Sequence, residues 1–171
     1  MEKSDVIVGY TVYIDLVKDQ FSGENPFLTT PMRKEVDRCV MAFDEAMKDQ
    51  TVSMICSGDA GVYGMAGLMY EIGANYPEVE LEVVAGVTAA TGGAAVLGAP
   101  LIHDFCLISL SDLLTPWEKI EKRLLLASEA DFVIVLYNPS SHKRHDYLKK
   151  CLRTYASTQI SGNSMRYRAE H

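Results

Sequence analysis

Five short runs rich in Val, Ile and Leu constrain the fold of this chain more than any single motif. Each run is nearly continuous and does not alternate with polar residues. Such runs are typical of strands buried on both faces of a parallel sheet. The runs are Val6–Val8, Val52–Cys56, Leu81–Ala85, Phe105–Leu110 and Phe132–Tyr137. They predict the strands of an α/β protein.

Helical patterns separate these runs. Apolar residues from Val36 to Met47 recur at spacings of four, three and four, and Thr30 and Pro31 are predicted to cap and begin this helix. Three further stretches predict helices: Val62–Ile72, the small-residue segment Ala89–Gly98, and a capping box at Thr115–Glu118 that opens a helix through Leu124. Strands and helices therefore alternate along the chain.

The length of 171 residues suits one ordinary domain or two small ones. Gly98-Ala99-Pro100 ends the small-residue helix predicted at Ala89–Gly98, and it predicts a domain boundary. We therefore expect an N-terminal α/β domain over 1–99 and a partial C-terminal α/β domain over 100–155. From Ala156 onward the sequence loses all periodicity, which predicts an irregular tail over 156–171.

Composition disfavours several classes of protein. The net charge is −7, whereas nucleic-acid binding needs clustered Lys and Arg, so no nucleic-acid partner is expected. No apolar run approaches the length of a membrane span and no signal pattern opens the chain, so we expect a cytoplasmic protein without a membrane partner. Four separated cysteines lack the spacing of a zinc site, so no metal is expected.

The segment Cys56–Gly64 is the strongest local signal. It follows a predicted buried strand, and its three glycines allow the backbone to turn sharply and approach a ligand closely. Open α/β sheets bind ligands at the carboxyl ends of their strands. The glycine spacing matches neither the dinucleotide fingerprint nor the phosphate loop. The segment is thus either a ligand-binding loop, with Asp59 accepting hydrogen bonds from a ribose or an amine, or a structural turn.

Two other strand-to-helix junctions resemble it in position. Thr88 in the segment Val84–Ala90 is placed either to cap a helix or to hold a ligand. In the segment Leu136–Ser141, Asn-Pro ends a strand and a serine can cap the next helix. Three junctions at carboxyl ends of strands predict one shared cleft. Other chemistry is weaker, since His103-Asp104 favours a polar turn and His142 with His145 favours a solvated basic face.

Taken together, the segments at these junctions resemble the tetrapyrrole (corrin/porphyrin) methylase family. The residues that carry the resemblance are Ser4–Val17, Thr30–Met32, Cys56–Glu71, Ala85–Trp117 and Ala130–Arg144. The resemblance implies two α/β domains of the family's type with S-adenosylmethionine bound in the cleft between them. It is strongest to the branch that methylates carbon 17 of precorrin-3B, or its cobalt form, with ring contraction in cobalamin biosynthesis.

For this chain the resemblance implies a specific set of cofactor-binding residues. They are Gly58, Asp59, Val62, Thr88, Ala89, Tyr137 and Asn138. It implies a precorrin-type tetrapyrrole as substrate, with the basic segment His142–Lys150 facing it, and a homodimer in the full-length family. No residue is assigned a catalytic role, because in-line positioning of the methyl group can supply much of the acceleration.

Two departures from the family pattern qualify this expectation. Members open with a strand and a Gly-Pro-Gly-type loop ahead of the segment that here begins at Ser4, and they continue well beyond the Tyr-Asn-Pro helix. We therefore expect a chain truncated at both ends, with the second domain incomplete. The alternative is an inactive remnant of such an enzyme, with weak or no cofactor binding.

Overall fold

The computed structural model describes residues 3–20, 25–139 and 145–158, and the chain divides into two compact units. The first unit is Met1–Thr88 and the second is Ala89–His171. The division lies ahead of the boundary that the sequence places at Gly98, so the small-residue helix belongs to the second unit. Both units alternate strands and helices, which confirms the predicted α/β class.

The first unit is a three-stranded parallel sheet with helices between its strands. Its elements are β1 (Val6–Tyr10), α1 (Thr11–Val17), a 3-10 turn (Lys18–Gln20), β2 (Phe27–Thr30), α2 (Glu35–Ala46), β3 (Val52–Ile55) and α3 (Ala66–Gly73). The strand order is β2-β1-β3, with Val8 of the central strand opposite Leu28 and Met54. The carboxyl ends of all three strands therefore lie at one edge of the sheet.

The apolar face of α2 packs against the central strand of this sheet. Cys39, Ala42 and Phe43 are buried on α2 and contact Val6 and Val8 of β1. Phe43 also stacks on Tyr76, with their ring centroids 4.8 Å apart. Burial raises the pKa of the Cys39 thiol to about 11, so this cysteine is a neutral core residue at physiological pH.

The second unit contains two parallel strands covered by helices. Its elements are α4 (Ala89–Leu97), β4 (Phe105–Ser109), α5 (Trp117–Glu129), β5 (Val133–Tyr137) and α6 (Tyr147–Thr158). The two strands pair from Phe105 with Val133 to Ser109 with Tyr137. Ile120 and Leu124 of α5 pack with Ile108, Leu110 and Cys151 in the core of this unit. Burial raises the pKa of the Cys151 thiol to about 11 as well.

One strand prediction was wrong, and one strand was not predicted. Leu81–Ala85 forms no strand, and Val84 is 76% exposed. The reason is that an apolar run becomes a strand only where a neighbouring strand pairs with it. Conversely, Phe27–Thr30 pairs with β1 although no strand was predicted there. Thr30 therefore ends a strand and does not cap α2, whose N-cap residue is Lys34 without a side-chain hydrogen bond.

Helix boundaries also differ from those predicted. The helix predicted from Val62 begins at Ala66, because turns occupy the preceding residues, where the Val62 N–H donates to the Asp59 carbonyl. The helix predicted from the capping box begins at Trp117, with Pro116 as N-cap and no side-chain capping bond from Thr115. Residues 156–158, predicted as irregular tail, belong to α6, and residues 159–171 lie outside the described part of the chain.

Within the described ranges, no helix is both long and apolar enough to cross a bilayer.

Candidate functional site

The glycine loop, Cys56–Met65, connects β3 to α3 at the carboxyl edge of the first sheet. Gly58 adopts the left-handed conformation with φ of 72°, which glycine reaches without steric penalty. Tyr63 is also left-handed, with φ of 52°, a conformation that is uncommon for a residue with a side chain. The Ala66 N–H donates to the Ala60 carbonyl at 3.0 Å and closes the loop onto α3. The loop is therefore a compact, internally bonded turn.

Asp59 ties this loop to a distant segment of the same unit. One carboxylate oxygen accepts the Gly61 N–H at 2.8 Å, and the other accepts the Gly86 N–H at 2.8 Å. These amides, with Gly86 the larger contributor and a smaller one from Val62, hold the Asp59 pKa below its usual value. A carboxylate has about four acceptor positions, so Asp59 can still accept a hydrogen bond from a ligand.

Gly86 lies so close to the glycine loop that a side chain would not fit. A Cβ built on Gly86 would lie 2.1 Å from the Gly58 carbonyl oxygen, far inside van der Waals contact. Gly64 is similarly close to the Ala60 carbonyl, at 2.5 Å from such a Cβ. The backbones of the two segments are therefore packed directly on each other, with exposed glycines at the sheet edge.

The depressed pKa of Asp59 predicts a loss of stability in acid. A carboxylate whose folded pKa lies below the unfolded value of about 3.9 stabilises the fold above that pH, and this contribution disappears as pH falls through the folded pKa. We expect Asp59→Asn to lower the urea midpoint at neutral pH, and its deficit to shrink below about pH 4. Asp15→Asn, on the exposed surface of α1, serves as the control. A deficit that is constant down to about pH 2.5 would contradict the assignment.

A second cluster lies at the carboxyl ends of β4 and β5 in the other unit. The Tyr137 hydroxyl accepts the Ala90 N–H at 3.0 Å and so bonds an amide in the first turn of α4. Asn138 is left-handed, with φ of 52°, and its amide donates to the Ser109 hydroxyl oxygen at 3.0 Å. That oxygen also accepts the Ser111 N–H at 3.2 Å. Strand ends and a helix start are thus joined within one unit.

The structure brings the predicted site residues together in two groups. Gly58, Asp59 and Val62 share the glycine loop of the first unit, and Thr88 is the last residue of that unit, two positions after Gly86. Ala89 begins α4 beside Ala90, which bonds Tyr137, and Asn138 follows Tyr137 in the second unit. The shared cleft stays a prediction.

Sequence reasoning missed two participants in these groups. The hydrogen bond from the Gly86 amide to Asp59 was not predicted. It joins residues 27 positions apart, and no local sequence pattern indicates it. Ser109 was also missed, although it ends β4 just as Tyr137 ends β5. The rule that ligands bind at carboxyl ends of strands would have found it.

The basic segment predicted to face a substrate is only partly described. His142, Lys143 and Arg144 lie outside the described residues. The Lys150 ammonium lies 4.8 Å from the centre of the Tyr147 ring and 3.2 Å from an Asp146 carboxylate oxygen. Lys149 and Arg153 are exposed on α6. Lys150 therefore has partners on its own unit. The described residues include no cluster of His, Cys, Asp and Glu that could hold a metal ion.

Comparisons with known proteins identify close relatives. The family model described as tetrapyrrole (corrin/porphyrin) methylases matches residues 1–164. A probable cobalt-factor III C(17)-methyltransferase from Salmonella typhimurium is 46% identical over 160 residues, covering 93% of this chain and 66% of the relative. A precorrin-3B C(17)-methyltransferase from Sinorhizobium sp is 46% identical over 143 residues, covering 80% of this chain and 54% of the relative.

A solved structure shares the fold. The crystal structure of the methyltransferase CobJ superposes with a TM-score of 0.84 at 36% sequence identity, covering 93% of this chain and 67% of that one. The chain spans about two thirds or less of the length of the curated relatives described here.

Proposed function

Because this chain belongs to the tetrapyrrole (corrin/porphyrin) methylase family, we propose that it transfers a methyl group from S-adenosylmethionine to carbon 17 of a precorrin. The substrate is precorrin-3B or its cobalt form, the reaction is accompanied by ring contraction, and the pathway is cobalamin biosynthesis. The observation that carries this proposal is the 46% identity to a C(17)-methyltransferase across 93% of the chain. The whole protein is proposed to act in the cytoplasm as a homodimer.

The residues at the strand ends fit a nucleoside-containing methyl donor. Gly58 and Gly86 pack backbone against backbone and carry no side chain, which suits close approach of a ligand to the backbone there. In the first unit we assign donor contacts to Gly58, Asp59, Val62 and Thr88. Asp59 adds a negative charge, which suits the positive amine and sulfonium of the donor.

In the second unit we assign donor contacts to Ala89, Tyr137 and Asn138. The first turn of α4 presents backbone N–H groups that have no partner within the helix, and Tyr137 accepts that of Ala90. The positive end of the helix dipole at this turn favours an anionic group such as the carboxylate of the donor. The left-handed Asn138 at a strand end is the kind of strained position that recurs at binding sites.

The chemistry asks for orientation more than for reactive side chains. When bound, S-adenosylmethionine supplies a methyl group on a sulfonium, which is already a strong electrophile. The task of the chain is to hold donor and acceptor in line and to exclude water. Backbone amides and glycines perform this task well because they lose no side-chain freedom on binding. The tetrapyrrole carries several carboxylates, and we assign Lys149 and Arg153, exposed on α6, to attract them.

Isothermal titration with S-adenosylhomocysteine tests the donor site. We expect the wild-type chain to bind with a dissociation constant on the order of micromolar, about −8 kcal/mol. Asp59→Asn is expected to weaken binding about ten-fold, because it loses a charge and an acceptor at the loop. Asp15→Asn, which removes an exposed carboxylate paired with Lys18 on α1, is expected to leave binding unchanged. Absence of binding by a folded chain would contradict the proposed function and support the inactive remnant.

Transfer of a labelled methyl group to precorrin-3B tests the reaction itself. A product heavier by one methylene unit and labelled on carbon 17 is the expected result. Binding of the donor without any transfer would restrict the proposal to the donor site.

A further inference from the structure

Arg38 is the one charged side chain among the described residues that is buried, at 5% exposure. It lies in the first turn of α2, near the carboxyl edge of the first sheet. Long charged side chains are rarely buried unless an opposite charge accompanies them. Its position therefore requires an explanation that apolar packing does not give.

No carboxylate lies within ion-pair distance of Arg38 in the described part of the chain. Its partners are neutral. The Nε–H donates to the Thr30 hydroxyl at 2.9 Å, and one terminal nitrogen donates to the Pro31 carbonyl at 3.3 Å. A cation in the first turn of a helix also meets the positive end of the helix dipole. The charge is thus removed from water without a carboxylate beside it, a cost that an apolar residue of the same length would avoid.

The contacts of Arg38 join the exits of all three strands. Thr30 is the last residue of β2, and the guanidinium carbon lies 5.6 Å from the ring centre of Tyr10, the last residue of β1. The other terminal nitrogen reaches the Met65 sulfur at 3.8 Å. Met65 ends the glycine loop that follows β3. One planar group therefore contacts each of the three chain segments that leave the sheet.

This arrangement completes the fixation of the glycine loop. Asp59 ties the middle of the loop to Gly86, and β3 holds its beginning. At its far end, the Met65 sulfur contacts a terminal nitrogen of Arg38. A guanidinium suits this role because its donors lie in a rigid fork, whereas a lysine ammonium is a single point on a flexible stem.

We propose that Arg38 is a positioning residue that holds the glycine loop in its ligand-binding conformation. It acts through Thr30, Met65 and Tyr10, and it does not touch the ligand. The identity of that ligand rests on the proposed function, but the effect of Arg38 on the loop does not. The two can therefore be tested separately.

Hydrogen exchange of the ligand-free chain tests the effect on the loop. The variant Arg38→Met keeps the length of the side chain and removes the fork. We expect it to speed exchange of the Gly61, Val62 and Ala66 amides about ten-fold, because each is bonded within the loop. The control Phe43→Leu weakens the core on the same helix but keeps the bonds of Arg38 to Thr30, Pro31 and Met65. It is expected to lower the unfolding midpoint but to leave these amides protected under native conditions.

Arg38→Lys separates charge from geometry. We expect it to unfold at a midpoint closer to that of the wild type than Arg38→Met does, but to exchange the loop amides as fast as Arg38→Met. Loop exchange that merely follows the unfolding midpoint across all three variants would overturn the proposal, because a structural core residue would behave in that way.

Titration with S-adenosylhomocysteine then links the loop to the ligand. At a temperature where every variant is folded, Arg38→Met is expected to weaken binding at least about ten-fold, and Phe43→Leu less than two-fold. Equal weakening by both would also overturn the proposal. A wild-type chain that binds nothing would instead contradict the proposed function, and the exchange experiment would still decide the role of Arg38.

Discussion

Replacement of Gly86 by alanine is expected to abolish binding of S-adenosylhomocysteine and to destabilise the first unit. The new Cβ would lie 2.1 Å from the Gly58 carbonyl oxygen, and the obstructing atom is backbone, which cannot rotate away as a side chain would. Relief requires the two segments to separate, and the Gly86 N–H bond to Asp59 is then lost. Overpacking of this kind costs about 1–3 kcal/mol, and the loss of the hydrogen bond to the Asp59 carboxylate adds to that cost.

Gly67→Ala is the matched control for this substitution. Gly67 is in α3, and a Cβ there would have no heavy atom within 4 Å. Alanine is more favourable than glycine in a helix, by about 0.5–1 kcal/mol in the interior and less at the second position of α3, so this variant should unfold at an equal or slightly higher urea concentration. Titration and urea unfolding of both variants make the comparison. A Gly86→Ala variant that binds and unfolds like the wild type would show that the two segments are not packed as described.

Phe43→Ala is expected to cost about 3–5 kcal/mol of unfolding free energy, the largest effect of any single truncation in the first unit. Phe43 is 2% exposed, packs among Val6, Val8 and Met69, and stacks on Tyr76. Removing the ring leaves a cavity between α2 and the sheet that the surrounding helices can only partly fill. Domains have total stabilities of about 5–15 kcal/mol, so the variant is expected to be substantially unfolded at 37 °C.

Val36→Ala on the same helix provides the comparison. Val36 is 54% exposed, and alanine is the better helix former, so the change in stability should stay within about 0.5 kcal/mol. Circular dichroism melting of both variants measures the difference. Similar melting curves for the two would contradict the placement of Phe43 in the core.

The fold was predictable where a run of apolar residues also has a partner. β1, β3, β4 and β5 lie within two residues of the runs that predicted them, because burial on both faces leaves a continuous apolar signature. Leu81–Ala85 has the same apolar signature but pairs with no described strand. The composition of a run does not indicate which strands will be its neighbours. β2 was not predicted because its four residues, Phe-Leu-Thr-Thr, are too few to show a hydrophobic periodicity.

The strand-to-helix junctions that carry the candidate residues were predictable, but the bonding within them was not. Strand-to-helix junctions with glycine or Asn-Pro are visible in the sequence, and they indicate Gly58, Asp59 and Tyr137. The bonds that organise these residues are tertiary, as from Gly86 to Asp59 and from Ala90 to Tyr137. The burial of Arg38 also depends on tertiary contacts and was not predicted. An arginine on an amphipathic helix ordinarily indicates a solvated face.

All strands in the described part of the chain pair in parallel, which has a consequence for how the chain is assembled during synthesis. The described residues include no hairpin that could start a sheet, so β1 and β4 must each wait for a partner that is translated after an intervening crossover. β1 pairs with β3 in a register that sets Val6 opposite Val52, a separation of 46 residues. At about 5–20 residues per second, the central strand therefore leaves the ribosome a few seconds before its second edge can be covered. During that interval the four residues of β1 that are buried in the folded chain are exposed to other nascent chains. The first unit therefore assembles in the order in which its strands are translated.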